Sequence, residues 1–219
     1  TRENVSEFRK PFLERRLSEL RAVLHALAQP ASEQAYQTQR YSTAVQDILG
    51  ALDLSRLVLA GHSFGGATVV KAEQDLGLDI QGSVVLDLWP FPLPKTVTAK
   101  GLTSAPSLFI NSEAFVGNSE MPITSELIQN SSAAMALSVT GIAHQSFSDT
   151  PIMFPSFLAR KLRMCGTLDV DTAYDAILFA IDSFLEHTRS PAAPIEQLER
   201  VVLSKNPFLQ RMACAGTAR

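Results

Sequence analysis

The chain has 219 residues, 46% hydrophobic and 19% charged, which fits one globular domain with its own core and argues against a disordered chain. A formal net charge of −3 argues against a nucleic-acid partner held through its phosphates. The two cysteines, Cys165 and Cys214, make neither a disulfide framework nor a metal cluster, and the sequence leaves their pairing open.

Val5, Phe8, Phe12, Leu13, Leu17, Leu20, Leu24 and Leu27 recur at helical spacing, and Pro11 is expected to kink or break that helix in its first third. Residues 29 to 41 read as a polar loop. Ser42 or Thr43 then caps a short helix carrying Val45, Ile48, Leu49 and Leu52. The apolar run Leu57-Val58-Leu59-Ala60 reads as a strand. A tight turn and a helix to about Asp75 follow, with Gly77 suited to the helix end. Further strands are expected at 83–86, 107–110 and 135–139, with a helix from about Thr124 to Gln129 between the last two. The last strong helix carries Tyr174, Ile177, Leu178, Ile181, Phe184 and Leu185 on one face, and the tail after about residue 191 reads as weakly ordered. No run is long and apolar enough to span a bilayer, and no signal peptide is visible, so the compartment stays open.

Alternating strands and helices, with strands apolar on both faces, predict a mostly parallel sheet covered on both sides, an α/β fold in one domain. Chemistry in such folds belongs at the carboxyl ends of the strands. The turn after the first strand, Gly61-His62-Ser63-Phe64-Gly65-Gly66, fits the G-x-S-x-G nucleophile elbow. Strand and helix pass close beside the serine, so Gly61 and Gly65 are expected to be needed for lack of a Cβ. The turn lifts the Ser63 hydroxyl clear and aims the Phe64 N–H at a developing acyl oxyanion.

A serine hydroxyl needs a base, usually a histidine held by a carboxylate, and this fold orders them Ser, acid, His. Of the four histidines, His25 precedes the nucleophile, His62 is fixed within the elbow, and His187 ends a helix. His144 alone follows the last strand in a loop, in the expected order. For the acid, Asp87 and Glu113 both fall just past strand ends, and residue order leaves the two even.

Four segments, taken together and in order, resemble the monomeric platelet-activating factor acetylhydrolases. They are Gly61-His62-Ser63-Phe64-Gly65-Gly66-Ala67-Thr68-Val69, Leu86-Asp87-Leu88-Trp89-Pro90-Phe91-Pro92-Leu93, Phe109-Ile110-Asn111-Ser112-Glu113 and His144-Gln145-Ser146-Phe147-Ser148-Asp149. The resemblance implies an α/β-hydrolase fold and a serine esterase that needs no cofactor or metal. Its substrate would be the short or oxidised sn-2 acyl group of a glycerophospholipid, at a membrane or lipoprotein surface. It also implies Ser63 as nucleophile, His144 as base and Asp87 as acid, with Glu113 in the wall of the site. Trp89 and Phe91 then either wall the acyl pocket or pack in the core. Ile152, Met153, Phe154, Phe157, Leu158 and Leu162, interleaved with Arg160, Lys161 and Arg163, either rest on a lipid surface or pack on the sheet, and the packing reading is favoured. Other readings are a different carboxylesterase of the same fold, of dienelactone or polyester hydrolase type, or a catalytically dead interaction module.

One feature of the fold is not found upstream of Gly61. The second oxyanion donor normally comes from a loop after an early strand, and neither is recognisable there. The chain opens on Thr1 rather than Met. It is therefore expected to be the C-terminal part of a longer enzyme, lacking the N-terminal strands, with residues 57–60 left as an exposed apolar edge.

Overall fold

A computed structural model describes residues 2–28, 47–48, 50–162, 164–191 and 193–212. The expected loop at 29–41, the capping Ser42 and Thr43, and Cys214 lie outside the described residues. Asp47, Ile48 and Gly50 are helical, whereas Leu52, expected on the same helix, lies past its end.

Five strands form one sheet in sequential order: β1 (Val58–His62), β2 (Gly82–Leu86), β3 (Ser107–Ser112), β4 (Ala134–Val139) and β5 (Leu209–Arg211). The first four are parallel, and β5 closes the edge antiparallel to β4, with Leu137 opposite Arg211 and Val139 opposite Leu209. The fold class is α/β. Side chains alternate across the sheet as the strand period of two requires. Val85, Phe109 and Ala136 join one core with α1 (Arg2–Leu27) and α2 (Phe64–Asp75), through Leu13, Leu17, Ala67 and Val70. Val84, Leu108, Ile110, Met135 and Leu137 face the opposite core, built on the later helices.

The helices α3 (Lys95–Lys100), α4 (Glu113–Val116) and α5 (Met121–Gln129) connect β2, β3 and β4; α6 (Thr150–Met153) and α7 (Ser156–Lys161) follow the sheet's fourth strand. The long helix α8 (Val170–Arg189) lays a seam of small and large residues on the second face: Ala173, Ala176, Ile177, Ala180 and Phe184. Leu178, expected on that seam, is 54% exposed, because one residue past Ile177 it lies roughly 100° round the helix from the buried row. Gly77 follows α2 at φ +59°, the left-handed conformation that ends a helix.

Two expectations change. The helix α1 runs through Pro11 without a break. Proline removes the N–H that would reach the Glu7 carbonyl, but both residues are exposed and solvent takes the freed acceptor. Only Leu13 and Leu17 of α1 are buried, while Phe8 and Phe12 remain 65% and 48% exposed. The segment after residue 191, expected as a weakly ordered tail, forms α9 (Ile195–Lys205) and then β5. Ile195, Val202, Leu209 and Met212 bury there, and Arg211 pairs with Glu199.

The first strand has no partner on its outer side among the described residues. Its Ala60 is exposed and Val58 half-buried, whereas every residue of β3 is buried.

Candidate active site

The turn from β1 into α2 holds Ser63 at φ 57° and ψ −117°, a conformation rarely adopted by residues with a side chain. Strain of this kind costs about 1–3 kcal/mol and persists only where its surroundings fix it. Three backbone bonds do so: the Ser63 N–H donates to the Leu86 carbonyl (2.9 Å), and the Ser63 carbonyl accepts from Trp89 (3.2 Å) and Ala67 (3.3 Å). A Cβ at Gly61 would lie 2.3 Å from the Gly65 carbonyl oxygen, so nothing larger than glycine fits. The expectation for Gly65 is corrected: a Cβ there would meet nothing within 4 Å. The crowding is one-sided, because Gly61 faces the backbone of Gly65 while the Gly65 Cα faces open space.

The strand β2 ends at Leu86, and Asp87 turns sharply at φ 41°. Its side chain is fully buried. One carboxylate oxygen accepts the Ser112 N–H at 2.6 Å; the other accepts the Ser112 hydroxyl at 2.7 Å and lies 3.0 Å from His144 Nδ1. His144 opens a short 3-10 turn after β4, with its side chain 41% exposed. Its Nε2 lies 3.0 Å from Ser63 Oγ. Residues far apart in sequence are thus aligned as hydroxyl, imidazole and buried carboxylate, an arrangement able to move a proton off the hydroxyl.

Glu113 lies elsewhere. It starts α4, is exposed, and accepts the Gly141 N–H at 2.7 Å, tying down the loop that carries His144 without touching the imidazole. His25 is exposed on α1 and His187 half-buried on α8, both away from Ser63. The His62 ring packs against His144, with ring centroids 4.5 Å apart, and against Phe147 at 5.6 Å. Burial, helped by His144, pushes the His62 imidazole below its ordinary value, so it stays neutral beside the exposed edge of the site.

A cavity of about 410 Å³ opens over Ser63 and His144, walled by Trp89, Ser112, Phe115, Asn118 and Glu120 among others. Trp89 lines it; Phe91 is not among its lining residues, and Phe115 takes an aromatic place there instead. Sequence reasoning missed Ser112 as the donor to Asp87 and Glu120 as a carboxylate of the cavity. The Ser112 role was readable in outline, since a serine one residue before a helix start is a capping position, and its hydroxyl does receive the Phe115 N–H. Burial pushes the Glu120 carboxyl up from its ordinary value, and Asp87 adds to the push, against an opposing pull from His144 and the Trp89 indole. Among the described residues no group of three or more His, Cys, Asp or Glu is placed to hold a metal ion, and Cys165 is a free thiol.

Phe64, the first residue of α2, carries one of the N–H groups that a helix start leaves without an intrahelical partner. After β4, Ile152, Met153 and Phe157 are 66%, 74% and 73% exposed, and Leu162 is 56% exposed. That overturns the favoured reading of this segment as sheet packing. The sheet's second face is already covered there by α8 and α9.

The comparisons with known proteins point to one family. The family described as platelet-activating factor acetylhydrolase, isoform II, matches residues 1–207. The platelet-activating factor acetylhydrolase of Cavia porcellus is 32% identical over 144 residues, covering 65% of this chain and 32% of that protein. That of Gallus gallus is 29% identical over 62% of this chain and 32% of its own length. That of Canis lupus familiaris is 24% identical over 75% of this chain and 36% of its own. The chain thus spans about a third of the length of these curated relatives. With a family match over nearly all its length and a serine elbow on an α/β sheet, the chain belongs to the platelet-activating factor acetylhydrolase family of isoform II type, within the α/β-hydrolases.

Proposed function

We propose that the protein is a serine esterase that removes short or oxidised sn-2 acyl groups from glycerophospholipids, as in 1-alkyl-2-acetylglycerophosphocholine. The observation that carries this reading is the line from Ser63 Oγ through both His144 nitrogens to the buried Asp87, each step 3.0 Å. His144 Nε2 takes the Ser63 proton as Oγ attacks the ester carbonyl carbon. Asp87 accepts from Nδ1–H, which fixes the tautomer and stabilises the imidazolium. The Phe64 N–H donates to the oxyanion. The imidazolium then protonates the departing glycerol oxygen, lysophospholipid leaves, and water attacks the acyl-Ser63 ester with His144 again as base. Acetate or another short acid is released.

On this reading the second oxyanion donor comes from outside the described residues, and the free side of β1 is where a preceding strand would pair. The chain's share of its relatives' length supports this. The cavity over Ser63, about 410 Å³ and walled in part by Trp89 and Phe115, has room for an acyl ester beside the hydroxyl. The exposed Ile152, Met153, Phe157 and Leu162, beside the exposed Arg160 and Lys161, suit an amphipathic contact with a phospholipid surface. No helix among the described residues is long and apolar enough to cross a membrane.

The test is hydrolysis of glycerophospholipids whose sn-2 chain grows from acetyl to palmitoyl. The expected result is steep loss of kcat/KM with length, and at least about a 10⁴-fold loss for Ser63→Ala on the acetyl substrate. Flat selectivity across long chains would instead favour another carboxylesterase.

A further inference from the structure

Charges of both signs meet on one indole at the mouth of the site, and the ester chemistry uses neither. The Trp89 ring walls the cavity, and the Arg9 guanidinium of α1 sits over it, 5.2 Å from the centroid. Phe8 and Phe12 shelve the same guanidinium at 5.5 and 5.6 Å. Arg16, two turns further along α1, covers the Phe64 ring at 5.0 Å, and the Phe64 and Trp89 rings meet edge to face at 6.0 Å. Among the described residues neither guanidinium is paired with a carboxylate, whereas Arg15 between them is, with Glu19. Glu120 lines the same cavity as Trp89, with its carboxyl near enough to feel the indole.

We propose that Trp89 centres a headgroup subsite for the leaving lysophospholipid, with Arg9 taking the phosphate and Glu120 taking the quaternary ammonium of a zwitterionic headgroup. The proposal rests on the esterase reading above. A guanidinium held among aromatic rings keeps its N–H groups free for two phosphate oxygens, and that pre-ordering lowers the entropy lost on binding. A quaternary ammonium cannot donate a hydrogen bond, so it is read by charge and by aromatic faces, which Glu120 and Trp89 supply together. Burial disfavours the Glu120 charge, and a bound cation would offset that cost. Arg16 extends the positive rim toward the oxyanion side. The arrangement also accounts for α1, which buries only two leucines yet lies across the elbow with its phenylalanines exposed.

The experiment compares three soluble esters below their micelle-forming concentrations: a 2-acetyl glycerophosphocholine, the matching 2-acetyl glycerophosphate without choline, and the matching 2-acetyl glycerol without phosphate. Ratios of kcat/KM cancel any general damage. Arg9→Gln is expected to lower the glycerophosphate-to-glycerol ratio about tenfold, and Arg9→Lys to restore part of it. Glu120→Gln is expected to lower the glycerophosphocholine-to-glycerophosphate ratio several-fold. Arg21→Gln, exposed on α1 and away from the rim, should keep both ratios at the unmodified protein's values. In the unmodified protein, glycerophosphocholine should compete with the neutral ester at lower concentration than inorganic phosphate does. Unchanged ratios in both Gln variants would overturn the subsite, as would equal competition by inorganic phosphate. Failure of the unmodified protein to turn over any of the three esters would overturn the esterase reading and the subsite with it.

Discussion

Asp87 and Glu113 each stand one residue past the end of neighbouring parallel strands, β2 and β3, yet their surroundings differ completely. Asp87 turns inward at φ 41°, is fully buried, and is held by Ser112 and His144. Glu113 continues into a helix capped by Ser112 and points outward to the Gly141 N–H. A strand end in an α/β fold therefore offers a place for chemistry without assigning it. The backbone turn that follows the strand decides which carboxylate enters the site, and Ser112 serves both ends by donating to one and capping the other.

The comparison can be broken by substitution. Asp87→Asn should lower kcat by about 10⁴-fold, because the amide presents a donor to Nδ1 and favours the wrong imidazole tautomer. A larger loss from Glu113→Gln, measured on the same short-acyl ester, would reverse the two roles. Ser112→Ala comes next. It leaves one Asp87 oxygen with His144 alone and removes the α4 cap, so a loss of about tenfold in kcat and about 1–2 kcal/mol in stability is expected from kinetics and urea unfolding. Glu113→Ala should cost about 1 kcal/mol and only a few-fold in kcat, since it loosens the His144 loop without touching the imidazole.

The smallest effect concerns acid. The folded state holds the His62 imidazole below its ordinary value of 6.5, so the unfolded chain binds this proton first as pH falls. Stability carried by neutral His62 is complete above that ordinary value and is lost as pH falls below it toward the folded value. His62→Phe keeps a ring against His144 and Phe147 and should flatten the fall of Tm between about pH 7 and pH 5.5. An identical Tm slope in the variant would remove His62 from that account.

Much of this was legible from residues. Parallel strands announce themselves as short apolar runs, and Ser63, Asp87 and His144 follow three of them in order. The ends of α2 and α5 fell where Gly77 and the polar Gln129-Asn130-Ser131 run stop helical packing. Other features depended on tertiary contacts that no local pattern encodes. Residues 195–211 lack a long apolar run, and their order comes from the vacant edge of β4 and the second core. Gly65 reads as crowded by symmetry with Gly61, but only one side of the turn is close to backbone. The apolar residues from Ile152 to Leu162 have a helical spacing that fits burial equally well, and only the prior occupation of the sheet face by α8 leaves them outside. Glu120 sits in a polar loop with no motif around it, and becomes notable only because Trp89 lies beside it.

The most direct measurement is the site of covalent labelling. The protein treated with a fluorophosphonate and digested for peptide mass spectrometry should carry one adduct, on Ser63. That adduct should be lost in Ser63→Ala and form far more slowly in Asp87→Asn. Absence of an adduct, or labelling of a different serine at the same rate in both variants, would contradict Ser63 as the nucleophile and return the protein to the reading of a fold that binds without catalysing.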